Sequence, residues 1–243
     1  MKIDAEDVDF RELNERIHAA LRDDVSGILL ENVRGQRYIG AGLGPGVRVT
    51  IDGVPGNDLG AFMDGAELVV RGNAQDGVGN TMNSGSIVVH GDAGDIAGYS
   101  MRGGRIFVRG SVGYRAGIHM KAYRERVPVL VVGGTTGDYL GEYMAGGILV
   151  VLGIGAEGTS AAGEWVGTGM HGGVIYLRGG LEAHQTGAEV GMDGLDEAEW
   201  ATLSGVLDEY RDAFDLEDLE LKPDDFVKLF PQTTRPYGAL YAY

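Results

Sequence analysis

The sequence predicts an all-β fold, a single-stranded parallel β-helix flanked by N- and C-terminal α-helices, and three observations predict it. Met63, Met82, Met101 and Met120 follow one another every 19 residues, and Met144 and Met170 continue the series after 24 and 26. Glycines recur in step: Gly60, Gly79, Gly98, Gly117, Gly141 and Gly167 stand three residues before a methionine, and Gly72, Gly91, Gly110, Gly153 and Gly179 nine residues after one. Between those glycines apolar residues recur with a period of two, as Leu68/Val70, Ile87/Val89, Ile106/Val108, Leu149/Val151 and Ile175/Leu177. A fixed interval carried through half a chain marks a solenoid, whose units bury their apolar faces only against neighbouring units. The inner period of two makes each unit a strand, not a helix pair.

The chain divides into an N-terminal helical segment (1–26), the β-helix (27–192), and an acidic C-terminal helix with an extended tail (193–243). Asp9–Asp24 reads as an amphipathic helix with Phe10, Leu13, Ile17, Ala20 and Leu21 on one face. Gly27–Gly53 follows as a transitional strand region; its YIGAGLGPGVRVTIDG puts Leu43 in the methionine slot. The regular repeats run from Leu59 to Gly179. In each, the fifth and seventh residues after the methionine face inward. The fourth (Glu67, Ser86, Arg105) and eighth (Arg71, His90, Arg109, Arg178) face outward. Coils about 4.8 Å apart stack equal slots into ladders, so the methionines form a column of adaptable apolar filler. Beyond Gly194 the pattern stops. LDEAEWATLSGVLDEYRDAF reads as a helix with Trp200, Leu203, Leu207 and Tyr210 on one face, and Pro231 and Pro236 limit helix in the tail.

Composition removes several classes of function. The chain of 243 residues has no cysteine, so it supplies no disulfide, thiolate metal site or cysteine nucleophile. Its N-terminus lacks the apolar stretch of a signal peptide, and no run approaches the roughly 20 apolar residues of a membrane span. A cytoplasmic protein without a membrane partner is the reading. The net charge is −16, of which residues 193–225 carry thirteen acids against Arg211 and Lys222. That balance disfavours nucleic acid as a partner.

Candidate chemistry is sparse. The glycine-rich turns lead into strands, whereas a dinucleotide fingerprint needs a following helix. His18, His90, His119, His171 and His184 show no metal-ligand spacing, and Ser160 and Ser204 have no recognisable base partner. We therefore assign no catalytic, cofactor-binding or metal residue. Two surface features remain. The sixth slot after the methionine faces outward yet is apolar throughout: Val69, Val88, Phe107, Val150 and Tyr176. Such a stripe needs a cover, either the chain's own terminal helices or another subunit. Secondly, the turn after Met120 is replaced by Lys121-Ala122-Tyr123-Arg124-Glu125-Arg126, and insertions in a solenoid often carry specific contacts. Phe107, Val150, Tyr176, Lys121, Tyr123, Arg124 and Arg126 are thus the candidate partner-interface residues. The ladder Arg71, His90, Arg109 calls for compensating acids or a partner.

The repeat G-x-x-M-x-G-G-x-(apolar)-x-V-x-G, with GEYMAGGILVVLG at Gly141–Gly153, resembles the GXGXG domain of glutamate synthase. The closing RPYGALYAY is similar to the tail of free-standing versions of that domain. The resemblance implies a right-handed β-helix that organises a complex without performing chemistry. It implies as partners a class II glutamine amidotransferase and a glutamate synthase-type protein with FMN and an iron–sulfur cluster, with neither cofactor in this chain. The β-helical subunits of formylmethanofuran dehydrogenase and of N-methylglutamate synthase share the repeat and stand as alternatives. A homo-oligomer remains open.

Overall fold

The structure is a computed structural model that describes residues 1–156 and 160–233. Pro236 and the RPYGALYAY tail lie outside the described residues. The strands are β1 (Lys2–Asp4), β2 (Gly27–Arg34), β3 (Arg48–Val54), β4 (Asp64–Val70), β5 (Ser84–Val89), β6 (Arg105–Val108), β7 (Val129–Val132), β8 (Ala145–Val151), β9 (Gly172–Arg178), β10 (Val190–Asp193) and β11 (Phe226–Pro231). They form one sheet in the order β1-β2-β3-β4-β5-β6-β7-β8-β9-β11-β10. From β1 to β9 every pairing is parallel and sequential, and from β2 onward each connection is one turn of a solenoid. The inward slots stay in register: Leu68, Ile87, Ile106, Leu130, Leu149 and Ile175 pair in line. The longer interval after Met120 is absorbed before β7, so Leu130 and Val132 take the inward slots there.

One corner of every coil is built the same way. The methionine N–H donates to the carbonyl of the glycine three residues before it, from Met63 to Gly60 through to Met170 to Gly167, and Leu43 to Gly40 does the same. The residue after each methionine donates to the preceding methionine's carbonyl, as Asn83 to Met63, Arg102 to Met82 and Lys121 to Met101. The methionines therefore form one column. Met63, Met82, Met101, Met120, Met144 and Met170 are fully buried, as are the fifth- and seventh-slot residues. Another corner is closed by side-chain caps along the axis. Asn73 accepts from the Asp92 amide, Asp92 from Ser111, and Ser111 from Thr135. Each cap satisfies a backbone donor that the turn leaves without a strand partner.

The ends are covered by the terminal segments. Helix α1 (Phe10–Arg22) starts at the Asp9 cap, which accepts from the Arg11 amide, and buries Leu13, Ile17 and Ala20. Those residues join Ile3 of β1, Ala5 just after it and Ile28 of β2 in the solenoid's own core. Strand β1, which the sequence pattern does not announce, extends the sheet beyond β2. At the far end β11 pairs antiparallel with β9, and β10 pairs antiparallel with β11. Helix α2 (Glu197–Phe214) starts in a capping box between Asp196 and Glu199 and ends at Asp215 in a left-handed conformation.

Candidate interaction surface

The outward stripe is covered from within the chain from Val88 to Tyr176, while Val69 stays outside the cover. Phe107, Val129, Val131, Val150, Leu152 and Tyr176 form a second core with Leu203, Val206, Leu207, Tyr210 and Phe214 of α2, together with Leu221 and Phe226. Phe107, Val150 and Tyr176 retain 5%, 0% and 3% of their exposure, which leaves a partner nothing to hold there. Of the two covers the sequence allows, the helix is the one in place, because α2 presents apolar residues at helical spacing to a sheet that already has an apolar face. Phe107 meets Tyr210 edge-on at 5.9 Å, and Tyr210 meets Phe214 at 4.9 Å. The Tyr210 hydroxyl donates to the Val108 carbonyl at 3.4 Å. Burial pushes the Tyr210 phenol well above its ordinary range and raises Tyr176 more modestly, with Glu199 and Asp196 adding to it. Arg105 to Glu209 at 2.8 Å and Lys228 to Glu199 at 2.6 Å tie the flanks of α2 to the sheet.

Among the described residues the basic ladder is compensated by an ion pair at Arg71 only. Arg71 pairs with Asp52 at 3.0 Å. His90 packs edge-on against Phe214 at 5.2 Å. Desolvation there, then the Arg109 charge, lowers the His90 pKa. Among the described residues no group of three or more His, Asp or Glu side chains is placed to hold a metal ion. None of their helices is long and apolar enough to cross a membrane.

The insertion is an exposed feature with fixed seating. Tyr123 and Arg126 exchange both backbone hydrogen bonds, at 2.9 and 3.0 Å, with Arg124 left-handed at the turn. The hairpin spans two neighbouring coils where they offer glycine. A β-carbon on Gly103 would lie 3.1 Å from the Arg126 Cβ, and one on Gly146 would lie 2.6 Å from the Ala122 nitrogen. Arg126 reaches Asp64 at 3.4 Å. Lys121, Tyr123 and Arg124 point to solvent.

Comparison with known proteins places the repeat. The GXGXG motif family matches residues 11–232, nearly the whole chain. The chain belongs to the GXGXG motif family. It is also 47% identical over 248 residues to an uncharacterized protein of Methanocaldococcus jannaschii, an alignment that covers 98% of this chain and 95% of that one.

The GXGXG corner holds a feature that sequence reasoning missed. Each corner places three alternate residues in the left-handed region, for instance Arg115, Gly117 and His119, then Tyr139, Gly141 and Tyr143, then Trp165, Gly167 and Gly169. The middle one faces the core; the two flanking ones make outward columns. In the last three coils these columns are aromatic or cationic except at Gly169. The Arg115 guanidinium lies 4.6 Å over the Tyr139 ring, which stacks on Trp165 at 6.5 Å and 14°. His119 stacks on Tyr143 at 5.4 Å and 11°, with Tyr99 edge-on to His119 at 6.0 Å. Arg115 also pairs with Glu142, between the two stacks, at 2.9 Å. Trp165 remains 51% exposed and Tyr143 37%. The signal was available: counting two residues to either side of each corner glycine lines these rings up.

Proposed function

We propose that this chain is a non-catalytic scaffold subunit of a glutamate synthase-type complex in the cytoplasm. In that assembly a class II glutamine amidotransferase releases ammonia, and an FMN/iron–sulfur protein uses it to form glutamate. Both cofactors belong to the second of those partners. The observation that carries the reading is the GXGXG family match across residues 11–232, on a solenoid whose axis is filled by methionine and aliphatic side chains. Such a body offers surface columns at regular spacing, the geometry of a platform on which other proteins assemble.

The test is reconstitution with the amidotransferase and the FMN/iron–sulfur protein of the same organism. The expected result is a complex that co-elutes on gel filtration, with glutamine-dependent glutamate formation that falls when this chain is omitted. Failure of the chain to bind either protein refutes the reading. Recovery from its host with tungsten- or molybdenum-pterin proteins instead would assign it to the formylmethanofuran dehydrogenase alternative.

A further inference from the structure

Arg102, Lys121 and Arg124 form a cluster of cations on a chain with an excess of acids. Arg102 and Lys121 occupy the same slot on adjacent coils, each following a column methionine whose predecessor accepts its amide. Like charges in that relation repel. With 36 acids to 20 bases the chain has no shortage of carboxylates. Yet, among the described residues, no ion pair includes any of the three. Arg124 lies only over the neighbouring Tyr123 ring, at 5.2 Å. The cluster adjoins the aromatic corner directly: His119 precedes Lys121 by two residues, and Gly146, under the hairpin, follows Tyr143 by three. Arg102 on the Met101 coil and Lys121 and Arg124 on the next thus stand beside ring columns that run through the coils of Met120, Met144 and Met170.

We propose that this face is a docking surface for an acidic, carboxylate-bearing surface of a partner protein, with Trp165 and Tyr143 as its apolar centre and Arg102, Lys121 and Arg124 as its charged rim. It rests on the reading above that the chain works as a subunit. Trp, Tyr and Arg are the residue types that dominate binding energy in protein interfaces, and unpaired rim cations select a partner of opposite sign. Nucleic acid fits less well. The chain carries −16 and its 36 acids outnumber its 20 bases, which repels a phosphate backbone and leaves no extended basic footprint for one. A second copy of this chain fits less well too, since each copy carries −16.

The test uses the full-length chain and the purified amidotransferase and FMN/iron–sulfur proteins, with affinity measured by calorimetry at two salt concentrations. Two variants are compared with the wild type, R102E/K121E/R124E and W165A, and circular dichroism melts check the fold of each. The charge reversal changes only exposed side chains, so it tests the face even where the tryptophan variant is unstable. The expected result is about tenfold or more weaker binding for the charge reversal, with the salt dependence flattened. For W165A the expected loss is on the order of 30-fold. Wild-type affinity in the charge-reversal variant overturns the proposed face while leaving the scaffold reading intact. Wild type that binds neither protein overturns both. Binding of labelled single-stranded RNA, or a wild-type dimer in light scattering that the charge reversal splits, would assign the face to another occupant and overturn the proposal.

Discussion

The corner glycines provide a quantitative test of what the repeat is for. Gly98 and Gly141 share a left-handed backbone, with φ of +72° and +67°, so a side chain at either meets the same conformational cost, about 1–2 kcal/mol. They differ in space. A β-carbon on Gly98 would first meet Leu130 Cδ2 at 3.4 Å, an ordinary contact; on Gly141 it would meet Ile175 Cδ1 at 2.6 Å. Ile175 is fully buried, so its Cδ1 end has to shift within a packed core, and Gly141→Ala adds an overpacking term of about 1–3 kcal/mol. For a domain of this size that difference corresponds to about 2–12 °C in Tm, with Gly141→Ala the lower. Ile175→Val removes the obstructing Cδ1 itself. Alone it costs about 0.5–1.5 kcal/mol, but in the Gly141→Ala background it should recover part of the loss, a coupling visible in a double-mutant cycle. Thermal melts of the four proteins decide the matter. Equal losses for Gly98→Ala and Gly141→Ala, or strict additivity of the double variant, would refute the steric account and leave only the backbone angle.

Other outcomes follow from the cover over the stripe. Phe107→Asp places a charge under α2, where even truncation of a buried phenylalanine costs about 3–5 kcal/mol; the variant should lose stability by at least that much and open α2 to limited proteolysis. Tyr210→Phe removes only the long 3.4 Å bond to the Val108 carbonyl and should cost about 1 kcal/mol or less in a denaturant titration. The folded His90 pKa lies below its ordinary 6.5, chiefly through desolvation. Its contribution to stability is therefore complete above the unfolded value and is lost as pH falls through the folded one. His90→Phe should accordingly lessen the fall in Tm on acidification below pH 6.5, and an unchanged profile would clear His90 of that role.

Much of the fold was legible because a solenoid writes its geometry as a period. The methionine and glycine intervals located the core column, the inward slots and the lengthened repeat, since each slot has one environment whichever coil it belongs to. The terminal strands were not legible. Lys2–Asp4 and Val190–Asp193 are too short to show alternation, and they take their conformation from the sheet edges that they extend. The interface expected at Phe107, Val150 and Tyr176 went to α2 for a related reason. The sequence shows two complementary apolar faces, but the path that brings them together runs through β10 and the loop after it. The hairpin residues were found as a break in the period. The aromatic corner breaks no period, so it escaped a search for irregularities.

That corner separates what the fold requires from what it leaves free. The middle position of each left-handed triplet points inward and is glycine in every coil from Gly40 to Gly167. The outer positions tolerate glycine, as Gly42, Gly77 and Gly169 show, yet they also hold Tyr38, Phe62, Ile96, His119, Tyr139, Tyr143 and Trp165. A bulky residue there costs about 1–2 kcal/mol of backbone energy, and stacking with the next coil returns about 0.5–1.5 kcal/mol per pair. The two terms nearly cancel, so folding stability does not choose the residue. Where stability is indifferent, the choice is free to follow what the surface must contact. The earlier columns mix Tyr38, Phe62 and Ile96 with Asp58, Thr81 and Ser100, whereas the last three coils set ring on ring, which is why the proposed docking face is put there.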